Sequence, residues 1–222
     1  VNESFEENYW RKHKPILKMT NEPSQLPQRS DEANHRIDEE KLQEGVRLLL
    51  EGIGEDPDRE DLVETWKRRV PESLITLTNG ERNSSKPTMR TFNSHSDDLI
   101  VKTGIPVYSL CEHHLLPFFG TANIAYLPTG QVIGLSKLTR YVRWRSRRLT
   151  MQEQLTSDIA SGLADEIDAE MVVVELNATH LCEAMRGIET KSMTNTRAVV
   201  GEPTDTELKQ FQSAINREHQ GF

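Results

Sequence analysis

Apolar residues recur at helical spacing from Ile37 onward: Leu42, Val46, Leu49 and Leu50 share a face, and Gly52 and Gly54 stop the run. Asp58 is placed to cap a second helix carrying Leu62, Trp66, Val70 and Leu74, which Gly80 ends. Ahead of this pair, residues 1–34 are polar, contain Pro15, Pro23 and Pro27, and show no sustained apolar period. They are expected to form a flexible extension, with a short apolar cluster at residues 5–10. Residues 80–96 read as a polar loop.

The pattern then shortens to that of strands. Residues 99–101 and 105–110 are the first, 120–126 the next, and 131–134 a short extended piece beyond a turn at 127–130. A long helix is expected from Ser136, as N-cap, to Ile167, with Leu155, Ile159, Leu163 and Ile167 as its apolar stripe. Residues 171–176 and 191–200 are further strands, and 206–217 a closing helix. Strands joined by short turns and separated by one long helix predict an α+β fold. Its antiparallel sheet has helices packed on one face and follows an N-terminal helical pair. The expected division is an extension at 1–34, a helical region and loop at 35–96, and a catalytic α+β domain at 97–222.

Composition narrows the classes. The chain has 222 residues, 35% of them hydrophobic and 28% charged, and a net charge of −8. That acidity argues against general nucleic-acid affinity. No apolar run reaches membrane-spanning length and no segment resembles a signal peptide, so a cytoplasmic, reducing setting is expected.

The candidate chemistry sits at Cys111-Glu-His-His114 and at His180 and Cys182, which with Cys111 completes the chain's two cysteines. Cys111, His114 and Cys182 make three zinc-type ligands, a set that leaves a position for water or substrate. His113 and His180 lie one and two residues from a ligand, so acid/base groups would flank the metal, the arrangement of metal-assisted hydrolysis. The same cysteines are also compatible with unrelated buried thiols or with a disulfide, which a reducing setting disfavours.

A second feature is a basic run. Lys137, Arg140, Arg143, Arg145, Arg147 and Arg148 occur with no acid among them. Cations in the first turn of a helix oppose its dipole, and a bound anion such as a polyphosphate resolves the conflict. A solvated basic face is the commoner origin of such a run, and it fits Arg143 to Arg148 better than the first turn.

Four stretches resemble the GTP cyclohydrolase I family: SLCEHHLLPF at 109–118, IGLSKL at 133–138, RRLTMQEQL at 147–155 and THLCEAMRG at 179–187. The resemblance is close from about 98 to 200 and looser back to about 36. It implies the tunnelling fold, a zinc cofactor, GTP as substrate, and a homo-oligomer, typically a decamer, with active sites at subunit boundaries. Membrane and nucleic acid are not among the implied partners. By position, Cys111, His114 and Cys182 match the family's zinc ligands, and His113 and His180 its catalytic histidines. Gln152 and Glu153 match the residues that hold guanine. Ser136, Lys137, Arg140 and Arg186 match ribose and phosphate contacts. Arg68 is a further triphosphate candidate, with Arg69 the alternative, because Trp66 stands where the family has proline. Strand 194–202 and the loop at 80–96 depart from the family pattern. The implied reaction converts GTP and water to 7,8-dihydroneopterin triphosphate and formate. The rival readings are a sister enzyme acting on another purine or pterin, and a non-catalytic nucleotide-binding zinc module.

Overall fold

The computed structural model describes residues 37–81, 86–95 and 98–219; the expected extension at 1–34 lies outside them. Helix α1 (Glu39–Gly52) starts where Asp38 accepts the Lys41 N–H at 3.1 Å. The expected second helix is broken into α2 (Glu60–Glu64), a wide π turn (Thr65–Arg69) and α3 (Val70–Leu77). Pro71 explains the break, since it has no N–H to give the Lys67 carbonyl and its ring crowds that oxygen. The released carbonyl accepts instead from Gln43 Nε2 at 2.9 Å, which ties α1 to the turn. Asp58 is not the cap expected of it. Its carboxylate is gripped by Arg47 through two contacts of 2.7 Å, and Arg59 precedes the helix without a side-chain cap. Gly80 lies beyond the helix end and serves a close approach: its N–H reaches Arg147 O at 2.8 Å, and a Cβ there would meet Trp144 O at 2.0 Å.

Part of the expected polar loop is a strand. β1 (Thr91–Asn93) pairs antiparallel with β4 (Gln131–Ile133), a contact too short to leave a period in the sequence. Between them come β2 (Ile100–Cys111) and β3 (Pro117–Leu127). The two short strands expected around Ile100 and Ile105 form one, with a register shift between Lys102 and Ile105. Gly104 supplies the positive φ of 67° there and donates to Asn123 Oδ1 at 3.0 Å.

The long helix expected over 136–167 is two. α4 (Leu135–Ser146) and α5 (Gln152–Ile167) are separated by β5 (Leu149–Thr150), and Gly134 rather than Ser136 precedes α4 as its cap. Helical spacing continues across the gap, but the sheet edge takes the intervening backbone. Arg148 O accepts from Leu110 N–H at 3.3 Å and Ser109 Oγ at 3.1 Å, and β5 pairs with β2. β6 (Met171–His180), the short α6 (Leu181–Ala184), β7 (Thr194–Val200) and α7 (Asp205–His219) complete the chain.

The main sheet has the order β5-β2-β3-β6-β7 and is antiparallel except at β5. The architecture is therefore α+β, an antiparallel sheet with helices packed against it. Alternation assigns the faces. Ile124, Tyr126, Val172 and Val174 pack with Leu138, Tyr141 and Val142 of α4 and Leu155, Ile159 and Leu163 of α5. Each fully buried aliphatic of this kind contributes about 1.5–3 kcal/mol. Ala125 and Val173, one position on, pack with Phe211 and Ile215, so α7 covers part of the opposite face. Among the described residues, no helix is long and apolar enough to cross a membrane.

Candidate metal centre and substrate cleft

Two strand ends build the centre. Cys111 closes β2, and the chain turns back at once: Leu115 N–H reaches Cys111 O at 2.9 Å and Cys111 N–H reaches Leu116 O at 2.9 Å. Leu115 takes a left-handed φ of 55° to complete this turn. The tight loop carries His114 back over Cys111. From the other side, β6 pairs with β3 so that His180 lies opposite Phe118, and α6 begins at the next residue and presents Cys182.

The ligand atoms of Cys111, His114 and Cys182 all lie within 4.8 Å of one another. Tetrahedral zinc, with bonds of about 2.3 Å to sulfur and about 2.0 Å to nitrogen, holds such a pair about 3.5 Å apart. Cys111 Sγ and His114 Nδ1 are 3.5 Å apart. Burial pushes the Cys182 thiol above its usual range, and the adjacent Cys111 adds to the shift. Two neighbouring sulfurs that resist joint ionisation become compatible when a cation lies between them. The donors therefore fit a zinc ion, with room for a fourth partner.

The two remaining histidines differ. His180 stacks on Phe118, with centroids 4.8 Å apart and planes 13° from parallel, and its Nε2 lies 2.8 Å from Gln152 Oε1. Burial holds its pKa below the ordinary imidazole value, which favours the neutral ring. His113 has 60% of its side-chain surface exposed, with Nε2 3.9 Å from Glu112 Oε1. Both line a cleft of about 300 Å³ that also holds the three metal-ligand candidates, Gln152 and Glu153. Glu153 is exposed there, whereas Gln152 is 1% exposed and its amide is engaged within the protein. Thr150, Met151, Glu183 and Thr194 line the same cleft without having been singled out in the sequence. Thr150 and Met151 sit within the RRLTMQEQL stretch and Glu183 within THLCEAMRG, which was the available signal; Thr194 carries none.

The expected substrate residues divide between places. Ser136, Lys137 and Arg140 lie on α4 and are not among the residues lining the metal cleft. Arg140 instead lines a second cleft of about 270 Å³ with Asn79, Pro87, Arg143, Trp144 and Arg147. Arg186 stays beside the metal set, with Nη1 3.5 Å from Cys182 O. The Arg68 guanidinium sits between Glu64 and Glu72, 3.1 Å from each.

Comparison with known proteins agrees with this geometry. The profile of the GTP cyclohydrolase I family matches residues 42–216. A GTP cyclohydrolase 1 of Hyperthermus butylicus is 47% identical over 175 residues, covering 78% of this chain and 89% of that protein. One from Clostridium perfringens is 44% identical over 154 residues, 68% and 82% of the two chains. One from Chlorobium phaeovibrioides is 42% identical over 185 residues, 82% and 79% of the two. The match takes in both strand ends of the metal centre, the basic turn of α4 and the start of α5, and on that extent the chain belongs to the GTP cyclohydrolase I family.

Proposed function

We propose that this protein is a zinc-dependent GTP cyclohydrolase I that converts GTP and water to 7,8-dihydroneopterin triphosphate and formate. The observation that carries the reading is the shared cleft of Cys111, His114 and Cys182 with His113, His180 and Glu153. The Cys-His-Cys set would hold the zinc, which supplies Lewis acidity that makes a water acidic near neutral pH. The exposed Glu153 carboxylate is suited to accept from the N1–H and 2-amino group of guanine, holding C8 toward the histidines. His180, neutral at rest, relays a proton from the adding water to N7, which makes C8 electrophilic, and His113 serves as the second acid/base group. Water adds at C8 and the imidazole ring opens to a formamide, and a second water, later returned when the pterin ring closes, releases C8 as formate. The ribose chain then rearranges and closes the pterin ring.

Lys137, Arg140, Arg186 and Arg68 are assigned to the triphosphate, with Ser136 at the ribose. Because α4 does not line the metal cleft of its own chain, we assign its basic turn to the cleft of a second copy. This accords with a decamer whose sites lie at subunit boundaries. Remote binding energy at the triphosphate then orients the base. A cytoplasmic setting suits two free thiols at a working site.

GTP labelled at carbon 8 tests the reading. The wild-type protein should release the label as formate and form a fluorescent pterin on oxidation; label retained in an intact purine would overturn it. In the same assay, Lys137→Ala/Arg140→Ala should lower kcat/KM for GTP by about tenfold or more per lost phosphate contact. Guanosine turnover should hardly change. An equal loss for both substrates would return the basic turn to a solvated face.

A further inference from the structure

The Gln152-Glu153 pair does not behave as a pair. Gln152 opens α5, and its side chain turns inward, where Nε2 lies 3.0 Å from Leu176 O, 2.9 Å from Thr194 O and 3.1 Å from Thr196 Oγ1. Two backbone carbonyls can only accept, so the amide nitrogen must face them and Oε1 must face away. The hydroxyls give the same direction. Thr156 Oγ1 donates to Gln152 O at 2.7 Å, so its proton is used. Thr196 Oγ1, 2.6 Å from Thr156 Oγ1, must then donate to it and accept from Gln152. The network runs one way, from the Gln152 amide through Thr196 and Thr156 back to the Gln152 carbonyl. Its outward end is Oε1, an acceptor, 2.8 Å from His180 Nε2. An acceptor there requires the imidazole to carry its proton on Nε2.

We infer that Gln152 is a positioning residue, which fixes the Nε2–H tautomer of His180 and leaves Nδ1 to exchange a proton with the substrate, while Glu153 alone of the pair reads the guanine edge. Phe118, stacked on the His180 ring, restricts its tilt, so the Gln152 contact sets its rotation. The inference deepens the GTP cyclohydrolase reading and rests on it for its kinetic consequences only.

The test uses full-length, zinc-loaded protein with isotopically labelled histidine nitrogens. Magic-angle-spinning NMR reads the tautomer at a pH where the ring is neutral, and a His180→Asn sample assigns its signals. The wild-type ring should carry its proton on Nε2, and Gln152→Met should give a mixture of tautomers with zinc content unchanged. A wild-type ring protonated on Nδ1 overturns the proposal, as does an unaltered tautomer in Gln152→Met. Should Gln152→Met not fold, Thr196→Val, which removes one link of the network, is read in its place, and the wild-type spectrum decides by itself. In kinetics, Gln152→Met should lose about 10- to 100-fold in kcat with KM for GTP kept within about twofold. Its preference for GTP over inosine triphosphate should persist, while Glu153→Gln should erode that preference. A raised KM with kcat intact in Gln152→Met would mean the amide reads the base after all. Failure of the wild-type protein to turn over GTP would overturn the functional reading and leave the tautomer result standing.

Discussion

Cys182→Ala is expected to lose its bound metal and its formate release together. The variant keeps only Cys111 and His114 of the cluster, and two donors do not retain zinc against competition from solvent and buffer. Little else should change. Cys182 is half-buried at the margin of the core, so trimming it to alanine should cost about 1 kcal/mol or less of stability. Metal analysis should therefore find about one zinc per chain in the wild type and almost none in a variant that still melts cooperatively. Because burial and Cys111 raise the Cys182 thiol, zinc loading of the wild type should also release protons. Full activity in metal-free Cys182→Ala protein would contradict the assignment of these ligands.

The second large effect separates acid/base chemistry from metal binding. His113→Ala and His180→Ala should each retain zinc and bind GTP, yet lose about a hundredfold or more in turnover. The two should part company in stability. His180 is stacked on Phe118 and donates to a buried Gln152, so its removal leaves Oε1 unpaired and costs about 1–3 kcal/mol. His113 is largely exposed and its removal should leave the melting temperature alone. Turnover, zinc content, GTP affinity and thermal melts on the same three proteins check this. Near-normal turnover in both variants would leave these rings as packing residues.

What the sequence made legible follows from how each signal is carried. The metal set could be read because the chain has only two cysteines, Cys111 and Cys182, each with histidines close by in sequence, and a ligand role does not depend on knowing the fold. α1 and the apolar stripe of α5 were legible because each repeats a period over many residues, and β6 because it opens on an unbroken apolar run, whereas β2 read as two pieces around the register shift near Gly104. The division of 136–167 was not, since Tyr141, Trp144 and Leu155 continue a helical pattern while the backbone at 148–150 is claimed by the edge of β2. Nor was β1, whose three residues pair only because β4 is brought alongside. Asp58 is a good capping residue by type, but Arg47 on the preceding helix outcompetes the backbone for it. Gln152 shows the same limit inside the site. Its identity suits base recognition, and only the placement of Leu176, Thr194 and Thr196 around it turns the amide away from the cleft.

The most direct test of the central claim is a zinc titration followed by formate release. Protein stripped of metal with a chelator would be given GTP labelled at carbon 8, and zinc added in steps. Labelled formate should rise in proportion to zinc and level off near one ion per chain, with the fluorescent pterin appearing in step. Formate production at full rate before any zinc is added would contradict the account, and so would a fully loaded protein that leaves the purine intact.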